Sequence, residues 1–287
     1  MGFVTSTQPT LLQIVGQIQG FMASNPIFLF PSDYFNPKQV DRMYLSQVGS
    51  LSDAGFDTAA IALESLGNSS PKISPILSQS AEVIYRGWML SPSNYELLVS
   101  AIESMGACAF TSLAEYLTTH YIPSWYPLVA DLTPETKFYC VDDDLETELE
   151  ALGWERFFIK DYVKSLKTSV GAIIDRPSQI KTVIAQMQKF RGTIEGGICV
   201  RRVEEFVVGS EKRYFVIRGK AFAASLDEEI PNIVEECARR IQSKFFSVDA
   251  VARADGVKRI VEIGDGQVSD LVGWSAERFA QIWIHDR

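Results

Sequence analysis

The chain has 287 residues, 46% hydrophobic and 22% charged, enough to bury a sizeable core as one large domain or two smaller ones. Its formal net charge of −9 disfavours a nucleic-acid-binding surface over the whole protein and leaves room only for a local basic pocket that takes a small anion. No apolar run reaches bilayer-spanning length and the start of the chain lacks a basic segment ahead of an apolar core, so a cytoplasmic protein with no membrane partner is expected. Cys108, Cys140, Cys199 and Cys237 show neither zinc-site spacing nor a disulfide framework, and read as buried thiols. His120 and His285 are too few for a histidine-rich metal centre, and His120 reads as a packing residue.

Residues 1–25 carry apolar positions at helical spacing. Residues 27–30 form a short apolar run that fits a buried strand, ending in the loop Pro31-Ser32-Asp33-Tyr34-Phe35. Loops at the carboxyl ends of strands are where open α/β sheets bind ligands, although Asp33 or Ser32 capping a turn explains the same residues. Residues 38–66 read as helix in two parts. Residues 81–85 read as a second strand leading into Arg86-Gly87-Trp88-Met89, where Arg86 is either a surface arginine or an anion-binding group. Residues 92–105 read as a helix with Ser93 and Glu96 as a capping box, and 107–110 as a third strand. This alternation predicts a small parallel sheet.

Prolines at 123, 127 and 134 predict a semi-rigid domain boundary over 122–134. Beyond it, the acids of 142–150 suit the start of a helix that faces water. Residues 157–160 predict a compact strand ending at Lys160, with Lys164 and Lys167 close behind; the lysines suit phosphate oxygens or a solvated loop. No GxxxxGK[ST] or GxGxxG pattern is present. Residues 177–190 read as helix and 198–208 as extended chain. Residues 214–224 read as a hairpin around Gly219, with Arg213, Phe215 and Ile217 on one face and Tyr214, Val216 and Arg218 on the other. Helices are expected near 231–242 and 276–285.

Residues 245–268 read as two strands joined across Asp255-Gly256, a dipeptide that favours a two-residue turn. That turn opposes Asp249 to Glu262 and Val251 to Ile260, with Val248, Ala250, Val261 and Ile263 on the core side. Two facing carboxylates repel, unless a cation such as Mg2+ lies between them. A solvated hairpin with two acids on its wet face is the alternative. The inference depends on register, because a slip of one residue moves Glu262 to the other face.

The ordered set of a strand-end lysine, an extended segment with glutamates, RYFVIRGK, VDAVARADG and VEIGDG resembles the ATP-grasp superfamily. The front half is similar to the pre-ATP-grasp region of a small branch carrying PSDYF-like and YRGWM-like motifs, matched here by residues 31–35 and 85–89. The resemblance implies α/β and α+β architecture. Residues 1–124 would be a parallel-sheet pre-ATP-grasp domain and 125–287 an ATP-grasp domain, with lobe one at 125–203 and lobe two at 204–287. It further implies ATP and Mg2+ as cofactors, and a ligase that joins a small-molecule or peptide carboxylate to an amine through an acyl phosphate. The resemblance assigns Lys160 to the α- and β-phosphates, with Lys137 as a second phosphate lysine. It assigns Glu205 or Glu204 to the ribose, backbone groups of Arg202 and Val203 to the adenine edge, and Arg213, Arg218 and Lys220 to phosphate and substrate carboxylate. Asp249 and Glu262 match the two magnesium ligands. The usual third, an asparagine two residues on, is Gly264 here, with Asp265 next to it as a substitute. Arg86 and Asp33 would face the acceptor. A loop over 164–169 would cover the site. A small-molecule kinase and a nucleotide-binding protein without catalysis are the alternatives, the latter supported by Gly264.

Overall fold

A computed structural model describes residues 25–68, 70–163, 173–192 and 194–284. The helix expected over 1–25, the loop over 164–169 and His285 lie outside them.

The front sheet holds β1 (Ile27–Pro31), β2 (Thr58–Ile61), β3 (Ile73–Ser74), β4 (Glu82–Tyr85) and β5 (Cys108–Ala109) in the order β3-β2-β1-β4-β5. All pairs are parallel except β2 with β3. The sequence pattern missed β2. The segment expected to be helix in two parts is α1 (Leu45–Asp53) followed by this strand, whose two central alanines, Ala59 and Ala60, carry little strand signal. The chain runs from β1 out to β2 and returns to β4 on the other side of β1. Their carboxyl ends therefore form a topological switch point, the position at which open α/β sheets bind ligands. Residues 31–35 and 86–89 flank that point. Helix α2 (Pro92–Ser104) is capped by Ser91, which accepts from Asn94 N, rather than by Ser93. The capping box is formed instead by Ser112 and Glu115, at the start of α3 (Leu113–His120).

The proline-rich segment is not a linker. Residues Ile122–Val129 form α4, with Pro123 in the first turn and Pro127 inside, and its Trp125 is fully buried. The indole packs among residues of the second half, including Val248, Ile263 and Cys237.

Lobe one is the antiparallel sheet β6-β9-β7-β8, made of β6 (Thr136–Tyr139), β7 (Phe157–Asp161), β8 (Ile173–Ile174) and β9 (Ile198–Arg202). Helices α5 (Leu145–Leu152) and α6 (Ile180–Arg191) cover one face over Phe157, Ile159, Ile198 and Val200. The pleat turns Lys160, Cys199 and Arg201 to the other face. The extended chain expected through Val208 stops at Arg202, and only Phe206 bridges onward, to Arg253.

Lobe two is the antiparallel sheet β11-β10-β12-β13, comprising β10 (Lys212–Ile217), β11 (Lys220–Phe222), β12 (Phe245–Ala252) and β13 (Lys258–Asp265). Its turn residues Arg218 and Gly219 both have positive φ, at 47° and 79°, as a tight two-residue hairpin requires. The faces divide as the pattern predicts. Tyr214, Val216, Val248 and Ile263 pack on α4 and on α7 (Asn232–Arg240). Phe215, Ile217 and Phe245 share one core with Phe28, Phe30, Ile84 and Phe110 of the front domain. Helix α8 (Ala276–Ile284) fills the space between them, with Trp283 edge-on to Phe28, Phe110 and Phe245. Front domain and lobe two are thus joined by a common aromatic core.

Candidate active site

The Asp255-Gly256 turn is not the expected two-residue turn. Arg253 N donates to Val257 O at 2.7 Å, which makes Ala254, Asp255 and Gly256 a three-residue loop, with Gly256 at φ 86°. That loop shifts the register by one, so Val251 faces Arg259 and Ala250 faces Ile260. A bulge at Val261 removes the shift, and Asp249 faces Glu262. The expected opposition of carboxylates is present, reached by two compensating irregularities. Ile260 takes the core place expected of Val261.

Two cations meet this carboxylate pair. Arg213, opposite Asp249 on the neighbouring strand, donates from Nε to Oδ1 at 2.7 Å and from Nη2 to Oδ2 at 2.5 Å. Its third nitrogen donates to Asp270 O at 2.9 Å. From lobe one, Lys160 Nζ lies 3.6 Å from Glu262 Oε1. Side-chain exposures of 9%, 7% and 5% remove Lys160, Arg213 and Asp249 from bulk water, where ion pairs gain little, while Glu262 is 20% exposed. Burial works against the Arg213 charge. The hydrogen bonds and charge of Asp249, with Glu262 and Asp270, more than offset it and raise the guanidinium pKa. Two positive and two negative groups leave the cluster formally neutral.

The remaining expected site residues are placed as follows. Arg86 does not face an open site. It is 2% exposed, its Nε and Nη2 donate to Gln47 Oε1, and its Nη1 donates to Gly266 O and, at 3.0 Å, to Ser269 O. Its guanidinium lies over the Phe279 ring, 4.6 Å from the centroid, and desolvation pulls its pKa down to about 10. It fastens the front domain to the chain after β13. Gly87 beside it has no room for a side chain, since a Cβ would strike the Tyr85 hydroxyl and the Pro31 ring. Asp33 Oδ1 accepts from Phe35 N and Asn36 N, the capping alternative.

Arg218 and Lys220 stand at the turn beyond the far end of β10, roughly 13–16 Å along the strand from Arg213. There Arg218 pairs with Glu82 and Lys220 lies over Phe222. Lys137 pairs with Glu135 and, by strand alternation, points away from the face that carries Lys160. Glu204 is tied to Arg259 and Arg253, which leaves Glu205, 83% exposed and 3.6 Å from Arg156, as the freer of the two acids. The amides of Arg202 and Val203 are committed to Glu135 O and Arg156 O. Asp265 pairs with Phe246, on the face opposite Asp249 and Glu262, and its Oδ1 accepts from Gln267 N. It does not fill the place left by Gly264.

Sequence reasoning missed Arg201. It is 6% exposed on the face of β9 that also carries Cys199, donates to Thr136 Oγ1 at 3.3 Å and to Val261 O at 2.5 Å, and approaches the Trp125 ring. An arginine directly after the apolar run Ile198–Val200 is its only sequence signal.

Residues 151–283 match the family model for an ATP-grasp domain, the third family of one clade of that superfamily. The ligase PsnB complexed with precursor peptide PsnA2 and AMPPNP superposes with a TM-score of 0.57 at 13% identity, covering 93% of this chain and 98% of that one. The chain has the ATP-grasp fold. The RimK domain ATP-grasp protein from Sphaerobacter thermophilus gives a TM-score of 0.61 at 13% identity, over 89% of this chain and 98% of that one. The D-alanine–D-alanine ligase from Bacillus anthracis complexed with ATP gives 0.60 at 15%, over 91% and 97%. Comparison with curated proteins returns no match. Among the described residues no helix is long and apolar enough to cross a membrane. In ATP-grasp terms, the quartet lies where lobe one meets lobe two, on the sheet face that lobe two turns toward the front domain.

Proposed function

We propose that the chain is an ATP-dependent carboxylate–amine ligase that works through an acyl phosphate. The observation that carries this reading is the largely buried quartet of Lys160, Glu262, Asp249 and Arg213 between the lobes. Such a cluster is built for a highly charged ligand. A triphosphate brings anionic oxygens for Lys160 and Arg213 and, with its divalent cation, a partner for the two carboxylates.

Fit to Mg2+ rests on the donor set. Asp249 and Glu262 offer hard oxygens on one face, and Mg2+ is commonly held by one or two carboxylates plus substrate phosphates. When bound, Mg2+ supplies charge neutralisation at the phosphates.

In this reading Lys160 leaves Glu262 for phosphate oxygens, and Glu205 takes the ribose. Arg213 keeps Asp249 oriented and offers its charge toward the transferred phosphoryl group. The acceptor enters from the switch point between residues 31–35 and 86–89, where Tyr34, Phe35 and Trp88 are exposed. Peptide substrates are favoured by the precursor peptide in the PsnB complex, and small amino acids by the D-alanine–D-alanine ligase. Phosphate release across pooled carboxylic acids and amines tests the proposal. Release that needs both substrates and yields a condensed product supports it. Phosphate that stays on one substrate as the end product with the amine present contradicts it.

A further inference from the structure

The opposition of Asp249 and Glu262 depends on the bulge at Val261. With the three-residue loop at Ala254–Gly256 and no bulge, Glu262 would face Val248 and point into the core. A bulge leaves its extra residue without a cross-strand partner, and a half-buried carbonyl without a partner is costly. Here the Val261 carbonyl accepts from Arg201 Nη1, and the preceding amide, Ile260 N, donates to Leu132 O at 2.9 Å. Arg201 is itself held by Thr136 Oγ1 at 3.3 Å and is almost fully buried. The bulge is therefore pinned from outside its own sheet, one residue before Glu262.

We infer that Arg201 is a positioning residue for the metal face: by holding the Val261 carbonyl it keeps Glu262 opposite Asp249. The inference rests on the nucleotide-site reading. It also makes the arrangement of that site depend on lobe one, because β9 supplies the pin. Arg201 Nη2 is buried with no acceptor among the described residues. The rival role is therefore a direct contact from Nη2 to the nucleotide.

The experiment uses Mn2+ as a spectroscopic substitute for Mg2+ and AMPPNP as nucleotide. Wild type is compared with Arg201→Met, with Arg201→Lys, and with Arg201→Met also lacking Val261. Deleting Val261 makes β13 regular and keeps Glu262 opposite Asp249 without a bulge to hold. Arg201→Met is expected to weaken Mn2+ binding with nucleotide by about 10- to 100-fold, the range for loss of a residue that orients a metal ligand, and to leave metal-free AMPPNP affinity unchanged. Deleting Val261 in that background is expected to restore Mn2+ affinity. Arg201→Lys, which keeps one donor for the carbonyl, is expected to fall between wild type and Arg201→Met; it decides the matter if Arg201→Met does not fold.

Unchanged Mn2+ affinity in Arg201→Met, or wild-type affinity in Arg201→Lys, overturns the inference. Equal losses with and without metal assign Arg201 to direct nucleotide contact and overturn it too. If wild type shows no metal-linked nucleotide binding, the nucleotide reading is what fails. Cross-strand NMR contacts between residues 249 and 262 then still test the positioning in wild type and Arg201→Met.

Discussion

Arg213 donates two hydrogen bonds to Asp249 across adjacent strands, at 2.7 and 2.5 Å, with both side chains buried. Asp249 thereby has a counter-charge before any nucleotide arrives, and Lys160 does the same for Glu262. The facing carboxylates are tolerated because each has a cation of its own.

Removing one partner of such a pair leaves a buried charge without compensation. Arg213→Met is expected to destabilise the protein by about 3 kcal/mol or more. Arg213→Met with Asp249→Leu should cost less than the sum of the two single changes. Urea unfolding of the four proteins gives the coupling directly. Additive losses would show that the pair contributes nothing beyond its packing.

This relationship was half legible in the sequence. Alternating side chains and the Asp-Gly dipeptide pointed to opposed acids at 249 and 262, although the turn type was misread. A three-residue loop and a two-residue turn share the same residues here, and the bulge at Val261 that reconciles them leaves no mark in local composition. Arg86 reads as ligand-facing because charge near a strand end looks alike whether it meets a phosphate or a carbonyl, and Arg218, Lys137 and Lys220 are expected there only from the resemblance. Only tertiary packing shows that Arg86 is spent on Gln47, Gly266 and Ser269. The prolines at 122–134 hide the helix over Ile122–Val129 for a related reason, since Pro123 in a first turn starts a helix.

Trp283 joins the front domain to lobe two. Trp283→Ala is expected to cost about 3–5 kcal/mol. Because its contacts reach Phe28, Phe110 and Phe245, front domain and lobe two should lose stability together. Hydrogen exchange resolved by peptide checks this. A loss of protection confined to the front sheet would contradict a shared core.

Alkaline pH should unfold the protein through its buried phenols. Burial raises the pKa of Tyr85, Tyr95 and Tyr116 above the ordinary value of 10.0. Above about pH 10 the unfolded chain releases phenol protons that the folded chain keeps. The unfolded state then binds fewer protons, so stability is full below that pH and falls as pH rises past it. Denaturant midpoints measured upward from pH 9 should decline, and tyrosinate absorbance of these residues should appear only with unfolding. Tyr116→Phe should flatten the decline.

Arg86→Met removes donors to Gln47 Oε1 and to the carbonyls of Gly266 and Ser269 in a buried junction. A loss of about 3 kcal/mol is expected, from hydrogen bonds of a charged group left unmade. Lysine at this position should recover little, because one ammonium cannot reproduce the fork. Full recovery by Arg86→Lys would argue against a role in fastening the domains.

The most direct test of the nucleotide site is isothermal titration of ATP with and without Mg2+ into wild type, Asp249→Asn and Glu262→Gln. Wild type should bind more tightly with Mg2+, and each variant should lose that gain by about tenfold or more while still binding metal-free ATP. Equal Mg2+ dependence in all three proteins would contradict the site.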